Sequence, residues 1–336
     1  MRAERTDTRE WKRVFEGVDE TATRLYRLLD EQLSDRGLHE VLGDGEMDVG
    51  TLRERLGFDA GVAHRFGLAL EALRNIGAVE LTAGGVRAGG PRRAGPELDD
   101  ELIAWTFGPL LEPYLDMYRS GAVFDPAFAL KFDEGMDAVW DGLLNAPINR
   151  LPRDLAIDWV SSPGGRVLDL GFGTPDSLRQ LAERVGDDGT VCGIDISPHF
   201  VERAREEFAD VDAIGALACA DANHGLPMFE PGSLDGVMFM GALHFVEDVD
   251  ALFAELRRVM RDRTRLAVGM WFSDRPCFAG PALHLHRSFF DPPGVMRPEG
   301  EVVAALARAG FELRATVHVG SYCNLYLEQG TQVRAP

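Results

Sequence analysis

Two carboxylates and two glycines carry the clearest chemistry in this chain. The segment Arg166-Val-Leu-Asp-Leu-Gly-Phe-Gly-Thr-Pro175 reads as a buried strand that breaks into a glycine turn and feeds a helix over Ser177–Val185. Gly171 and Gly173 let the backbone pass close to a ligand where any Cβ would collide. One strand-and-helix repeat later, the apolar run in Val191-Cys-Gly-Ile-Asp-Ile-Ser197 ends on Asp195. In an open α/β sheet that is where a carboxylate meets ribose hydroxyls. The pairing points to a nucleoside-bearing ligand.

Details of the turn separate the candidates. A dinucleotide fingerprint wants a third glycine three positions after the second, so that helix and strand close around a pyrophosphate. Asp176 occupies that position, and an acid there repels a pyrophosphate. Asp169, two residues before Gly171, instead offers an acceptor to an ammonium group. A ligand with an amine, a sulfonium and a ribose but no phosphate fits these groups, and S-adenosylmethionine is such a ligand.

Further segments follow in order. Ala220-Asp-Ala-Asn-His-Gly-Leu-Pro227 comes after a short apolar strand over Ile214–Cys219. Leu234-Asp-Gly-Val-Met-Phe-Met-Gly-Ala-Leu-His244 reads as another strand, leading through Phe245-Val-Glu-Asp248 into a helix. Together these segments resemble the class I S-adenosylmethionine-dependent methyltransferases, and more narrowly the small-molecule O-methyltransferases with an N-terminal winged-helix domain. The resemblance runs from about Val41 to Glu328 and includes Tyr118-Arg-Ser-Gly121 and Phe132-Asp-Glu-Gly-Met136.

The resemblance implies an α/β fold with a doubly wound, Rossmann-like, seven-stranded sheet behind a mainly helical winged-helix domain. It implies S-adenosylmethionine held by Asp169, Gly171, Gly173, Asp195, Ile196, Asp221, Ala222, Met240 and Gly241. The family's acid after the third strand, which contacts the adenine amine, falls on Asp221, and its Leu-His pair on Leu243-His244. His244 then sits where a general base would take a proton from a hydroxyl acceptor, although a histidine at a strand-to-helix corner also serves as a local hydrogen-bonding group. Two positions depart from the family pattern. Pro175 replaces a glycine, tolerable in a first helical turn where its missing N–H costs nothing. Met270 stands where plant members place a glutamate to orient the histidine.

The supporting elements follow from periodicity. Trp11, Phe15, Val18, Ala22, Leu25, Leu29 and Leu33 recur at three- and four-residue steps, an apolar stripe on a first helix. Helices over Val49–Leu56 and Ala60–Ile76 and short strands within Ala78–Arg87 complete a winged-helix pattern, with the wing turn at Gly84-Gly85. Ala88–Pro96 is a glycine- and proline-rich linker. These features predict three parts: a winged-helix dimerisation domain over 1–95, a helical connector and lid over 96–155, and a catalytic domain over 156–336. The stripe and the apolar face of Phe66, Leu68, Leu70 and Leu73 predict a homodimer through the N-terminal domain. DNA binding by the helix carrying Arg65 and Arg74 is the competing use of that domain.

From Gly165 onward strands and helices alternate, and the last two strands, Phe311–Val319 and Tyr322–Gln329, should be antiparallel across the turn at Gly320-Ser321. A long segment, Phe272 to Pro298, reads as a loop over the substrate. Met136, Trp271, His284, His286 and Phe289 are the expected substrate contacts. His284-Leu-His286 lacks neighbouring ligands at metal spacing, so no metal is expected.

Composition sets outer limits. The 336 residues suffice for two domains, and 45% hydrophobic content describes an ordinary globular chain. A net charge of −20 disfavours nucleic acid. Four scattered cysteines show no paired spacing. No apolar run approaches bilayer length and the charged N-terminus lacks a signal-peptide core, so a cytoplasmic protein acting on a small molecule is expected. A winged-helix regulator, or a binder of the same cofactor running hydroxylation or decarboxylation, remains the alternative.

Overall fold

Apolar strands alternating with amphipathic helices build a seven-stranded sheet in this computed structural model, which describes residues 8–92, 99–108, 111–275, 277–291 and 293–330. Its strands are β1 (Arg166–Leu170), β2 (Thr190–Asp195), β3 (Ile214–Cys219), β4 (Leu234–Met240), β5 (Met260–Trp271), β6 (Phe311–Val319) and β7 (Tyr322–Gln329). They lie in the order β3-β2-β1-β4-β5-β7-β6. Neighbours from β3 to β5 are parallel, and β7 runs antiparallel to both β5 and β6. The helices Asp176–Val185, Pro198–Glu207, Val249–Val259 and Glu299–Arg308 are the crossovers. Leu168, Val237, Leu266, Val268 and Leu325 form the centre of the core, all fully buried. This is the expected doubly wound, seven-stranded sheet.

Strand register decides where ligands can go. Leu170 lies opposite Ile194, and Asp195 opposite Cys219, so the parallel strands end together along one edge. The chain order reverses between β1 and β4, the switch point at which such sheets bind ligands.

The chain divides into two compact units, and the division differs from the one expected at 95 and 155. One unit comprises residues 1–12, 132–276 and 295–336; the other comprises 13–131 and 277–294. The helices Asp137–Asn145 and Pro147–Val160 thus go with the sheet, because the second of them lies against β4 and β5. The supposed loop over 272–298 contains a helix, Gly280–Arg287, that lies against the helix Ala63–Asn75 of the N-terminal unit. Asn75 and Tyr26 both donate to the carbonyl of Phe278, which explains why this segment leaves the sheet's unit.

The N-terminal unit contains short helices, Leu38–Leu42 and Val49–Arg55, ahead of Ala63–Asn75, and a three-stranded sheet of Glu46–Met47, Val86–Ala88 and Val79–Leu81. The first helix, Thr8–Asp35, is as long as its stripe suggested. Its stripe residues, and Phe66, Leu68, Leu70 and Leu73, are nevertheless all buried within a single chain. The uncovered apolar face that motivated a homodimer is therefore not there. Arg65 is likewise engaged, donating to the carbonyls of Asp125, Phe128 and Ser288 and lying over the Phe289 ring. Residues 93–96 of the expected linker lie outside the described residues. Among the described residues, no helix is long and apolar enough to cross a membrane.

Candidate active site

The turn after β1 is built as its residue types require. Gly171 and Gly173 both adopt positive φ, at 71° and 63°. A Cβ on Gly171 would come within 2.8 Å of the Cβ of Ala242, and one on Gly173 within 2.6 Å of Leu144. Both conformation and space exclude larger residues. Pro175 precedes the helix that starts at Asp176, where its lack of an N–H leaves no bond unmade.

Asp195 braces this turn. Its Oδ2 accepts from the Gly173 amide at 2.9 Å and its Oδ1 from the Ser197 amide at 2.8 Å, while 8% of the residue stays exposed. Each carboxylate oxygen keeps a lone pair for a further donor such as a ribose hydroxyl. Ile196 follows with 52% of its surface open, one of few large apolar side chains so exposed among the described residues. An apolar side chain beside a ribose acceptor suits the face of a purine.

Asp169 is 2% exposed, and its Oδ2 is buried with no hydrogen-bond partner. Burial drives its pKa up to about 7, the Ser177 hydroxyl and Arg153 work against that rise, and the Asp195 charge adds to it. A buried carboxylate with an unused oxygen is an incomplete site, and an ammonium group completes it. At the end of the next strands, Asp221 takes the Asn223 amide on Oδ1 at 2.9 Å and opens a tight turn over Ala222–His224. Met240 closes β4, and Gly241, at φ 71°, donates to the Gly269 carbonyl at 2.7 Å. The cofactor residues expected from sequence thus share one edge of the sheet. Their donors and acceptors fit S-adenosylmethionine: an anion for the amine, a ribose acceptor and an apolar surface for the base.

His244 lies in the short turn Leu243–Phe245 after β4 and is 3% exposed. Its carbonyl accepts from the Val295 amide at 2.8 Å. Arg297 fastens the same turn, reaching the carbonyls of Leu243, Val246 and Glu247. Sequence reading missed Arg297, since an isolated arginine in an irregular segment gives no periodic signal. Asp248, a neighbouring acid, caps the following helix by accepting from Ala251. Met270 is buried within β5 and provides no carboxylate. Ser197 donates to the Phe132 carbonyl, and the Phe132 ring stacks on Trp140 and meets Phe200 and Phe245 edge-on. That aromatic wall was also unforeseen, beyond the motif placed on Phe132.

The expected substrate residues fall in different units. Met136, in the turn Glu134–Met136, and Trp271, at the end of β5, belong to the sheet's unit. His284, His286 and Phe289 belong to the N-terminal unit. There His286 meets Tyr114 and Phe290 edge-on, and burial drives its pKa down to about 3, so the ring is neutral. His284 is shifted down for the same reason. Elsewhere Glu299, His318 and Cys323 bring ligand atoms within 4.8 Å of one another. Arg275 and His318 already hold that glutamate, and burial pushes the Cys323 thiol up.

Comparison with known proteins places this edge in context. Residues 167–263 match the model of a methyltransferase domain. The O-methyltransferase cnsE of Penicillium expansum is 30% identical over 49% of this chain and 58% of its own length. The O-methyltransferase rstn1 of Aspergillus nomiae is 30% identical over 49% of this chain and 72% of its own. The chain thus spans little more than half of the first relative. The crystal structure of the DszA carbon methyltransferase superposes with a TM-score of 0.69 at 14% identity, over 96% of this chain and 91% of that one, a likeness of fold.

Proposed function

The chain belongs to the S-adenosylmethionine-dependent methyltransferases, and from that premise we propose that it methylates a small, largely hydrophobic metabolite of secondary metabolism, with a hydroxyl as the acceptor and His244 as the base. The observation that carries this reading is the contact between two turns. Ala242, two residues before His244, fills the space that a Cβ on Gly171 would need. The histidine's turn and the cofactor's turn are therefore held side by side.

When bound, S-adenosylmethionine supplies a methyl group on positively charged sulfur, already activated toward displacement. The protein's work is then to hold and orient. Asp169 anchors the amine, Asp195 the ribose and Ile196 the base, with Asp221, Ala222, Met240 and Gly241 closing the nucleoside end. Arg297 and the Val295 amide hold the His244 turn by its carbonyls. A general base positioned this way contributes about 10²–10⁴ in rate when the acceptor is a hydroxyl of high pKa. Met136 and Trp271 are proposed substrate contacts in the sheet's unit; His284, His286 and Phe289, which belong to the other unit, are not included in this proposal. The N-terminal helices and small sheet are read as a winged helix whose role is structural, since Arg65 spends its donors inside the protein.

Incubation with methyl-labelled S-adenosylmethionine and a panel of phenolic and enolic acceptors tests this, with transfer read by mass. Label should appear on a hydroxyl. Tight binding of NAD with no binding of S-adenosylhomocysteine would overturn the assignment.

The Asp169 pKa gives a second expectation. Near pH 7 the carboxyl of the ligand-free protein is about half protonated, and only its ionised form attracts an ammonium group. Affinity for S-adenosylhomocysteine should therefore rise as pH increases through about 7 and level off above it. Asp169→Asn should flatten the profile in calorimetric titrations; an unchanged slope in that variant assigns the titration to another group.

A further inference from the structure

The turn that carries His244 is held by its main chain. Each of the five carbonyls from Leu243 to Glu247 accepts a hydrogen bond from a residue beyond the turn. Arg297 meets those of Leu243, Val246 and Glu247, and the Val295 amide meets that of His244. These two partners belong to one short stretch of chain. The Phe245 carbonyl is met instead by the side chain of Asn223, which lies in the turn Ala222–His224 after β3.

Asn223 makes that bond as one of a pair. Its Nδ2 donates to the Phe245 carbonyl at 3.3 Å, and its Oδ1 accepts from the Glu247 amide at 2.8 Å. The carboxamide thus answers the main chain in both senses, donor to acceptor and acceptor to donor. A flipped amide would set N–H against N–H and oxygen against oxygen, so the two partners fix its orientation. The backbone amide of Asn223 in turn donates to Asp221 Oδ1 at 2.9 Å, closing a side-chain turn two residues long. Asp221 is the acid proposed for the nucleoside end of the cofactor. One residue therefore bonds both to that acid and to the turn of the proposed base.

We propose that Asn223 is a positioning residue that sets the His244 turn according to whether the cofactor's adenine is seated against Asp221. The proposal rests on the cofactor and base readings above and adds the link between them. Seating the adenine orders the turn from Asp221 to His224, and the carboxamide carries that order to Phe245 and Glu247 on either side of Val246. The link matters because misplacing a reacting group by about 1 Å costs on the order of 10²-fold in rate. Alanine at this position keeps the backbone bond to Asp221 and loses both bonds to the His244 turn, so the link can be cut without touching the acid.

Hydrogen exchange read by mass spectrometry, with and without S-adenosylhomocysteine, tests the link without any acceptor. In the wild-type protein the ligand should slow exchange over residues 221–224 and also over residues 243–248, by about tenfold or more. In Asn223→Ala the first effect should persist and the second should be lost, while calorimetric affinity for S-adenosylhomocysteine stays within about threefold of wild type. Turnover of a phenolic acceptor should fall by about 10- to 100-fold in Asn223→Ala, yet by less than about twofold when His244 is already alanine, because Asn223 acts through the base. If Asn223→Ala does not fold by circular dichroism, Asn223→Asp, which keeps the acceptor for Glu247 and loses the donor to Phe245, should still lose part of the protection over 243–248. Protection there that is the same in a folded Asn223 variant as in wild type overturns the proposal, as does a loss of turnover equally large in the two backgrounds. A wild-type protein that does not bind S-adenosylhomocysteine overturns the cofactor reading and the link with it. Full turnover in His244→Ala overturns the base reading alone, and the exchange measurement then decides the link.

Discussion

Asp195→Ala is expected to lower affinity for S-adenosylhomocysteine by about 10²-fold or more, and to lower the melting temperature as well. Two losses combine. The variant gives up a charged acceptor for the ribose, worth roughly 1.5–3 kcal/mol. It also strands the amides of Gly173 and Ser197, both of which now donate to that carboxylate. Each amide left without an acceptor in a buried place costs about 1–3 kcal/mol, so the glycine turn loosens at the point where the ligand must sit. Asp195→Asn separates the two effects. Its carbonyl oxygen can replace one of the two carboxylate oxygens, while its NH2 group faces the other amide as a donor, so stability should fall between those of wild type and alanine variant. Binding within threefold of wild type in Asp195→Ala would show that the carboxylate is a brace for the turn and nothing more.

His244→Ala is expected to reduce turnover by about 10²-fold or more with cofactor affinity nearly unchanged, because a base acts only as the proton moves. The backbone bonds that hold its turn, from Val295 and Arg297, do not involve the ring. Truncation at Cβ should thus leave the turn in place. Added imidazole should restore part of the rate if a proton acceptor is what was lost. An alanine variant that keeps its rate with the native acceptor would assign the histidine to packing, and would favour an acceptor that is already ionised or a carbon nucleophile.

Why some of this was legible beforehand follows from the kind of signal each part leaves. The β1 turn is local: an apolar run, an acid and two glycines within a few residues, each demanded by backbone conformation or close approach. The crossover order is legible from alternation, and the last strand pair from the turn at Gly320-Ser321. Arg153 left no such mark. On an amphipathic helix, an arginine reads as a solvated residue, and only the tertiary fold shows it buried. The segment over 277–294 was mistaken for a loop because its partners lie some 200 residues earlier, as the Phe278 carbonyl with Asn75 shows. The apolar first helix shows a different limit of periodicity. Its stripe correctly demanded a partner surface, but periodicity cannot say whether that surface belongs to the same chain or to another.

The interleaving of the two units has a consequence for how the protein comes off the ribosome. Domains of a nascent chain ordinarily fold in order, the N-terminal one first. Here the unit that begins at Arg13 lacks its helix Gly280–Arg287 until β1 to β5 have all been synthesised. Until then Phe66, Leu70 and Leu73 belong to an unfinished core, and this is the interval in which a holdase would find its binding surface. For the same reason no single cleavage yields two self-sufficient halves. Expressing residues 132–336 alone would carry along Leu285, Phe289 and Phe290, all buried in the whole protein, as an orphaned sticky insert. A minimal version of the sheet's unit must splice 276 to 295, and a span that begins at 132 also leaves out residues 1–12 of that unit.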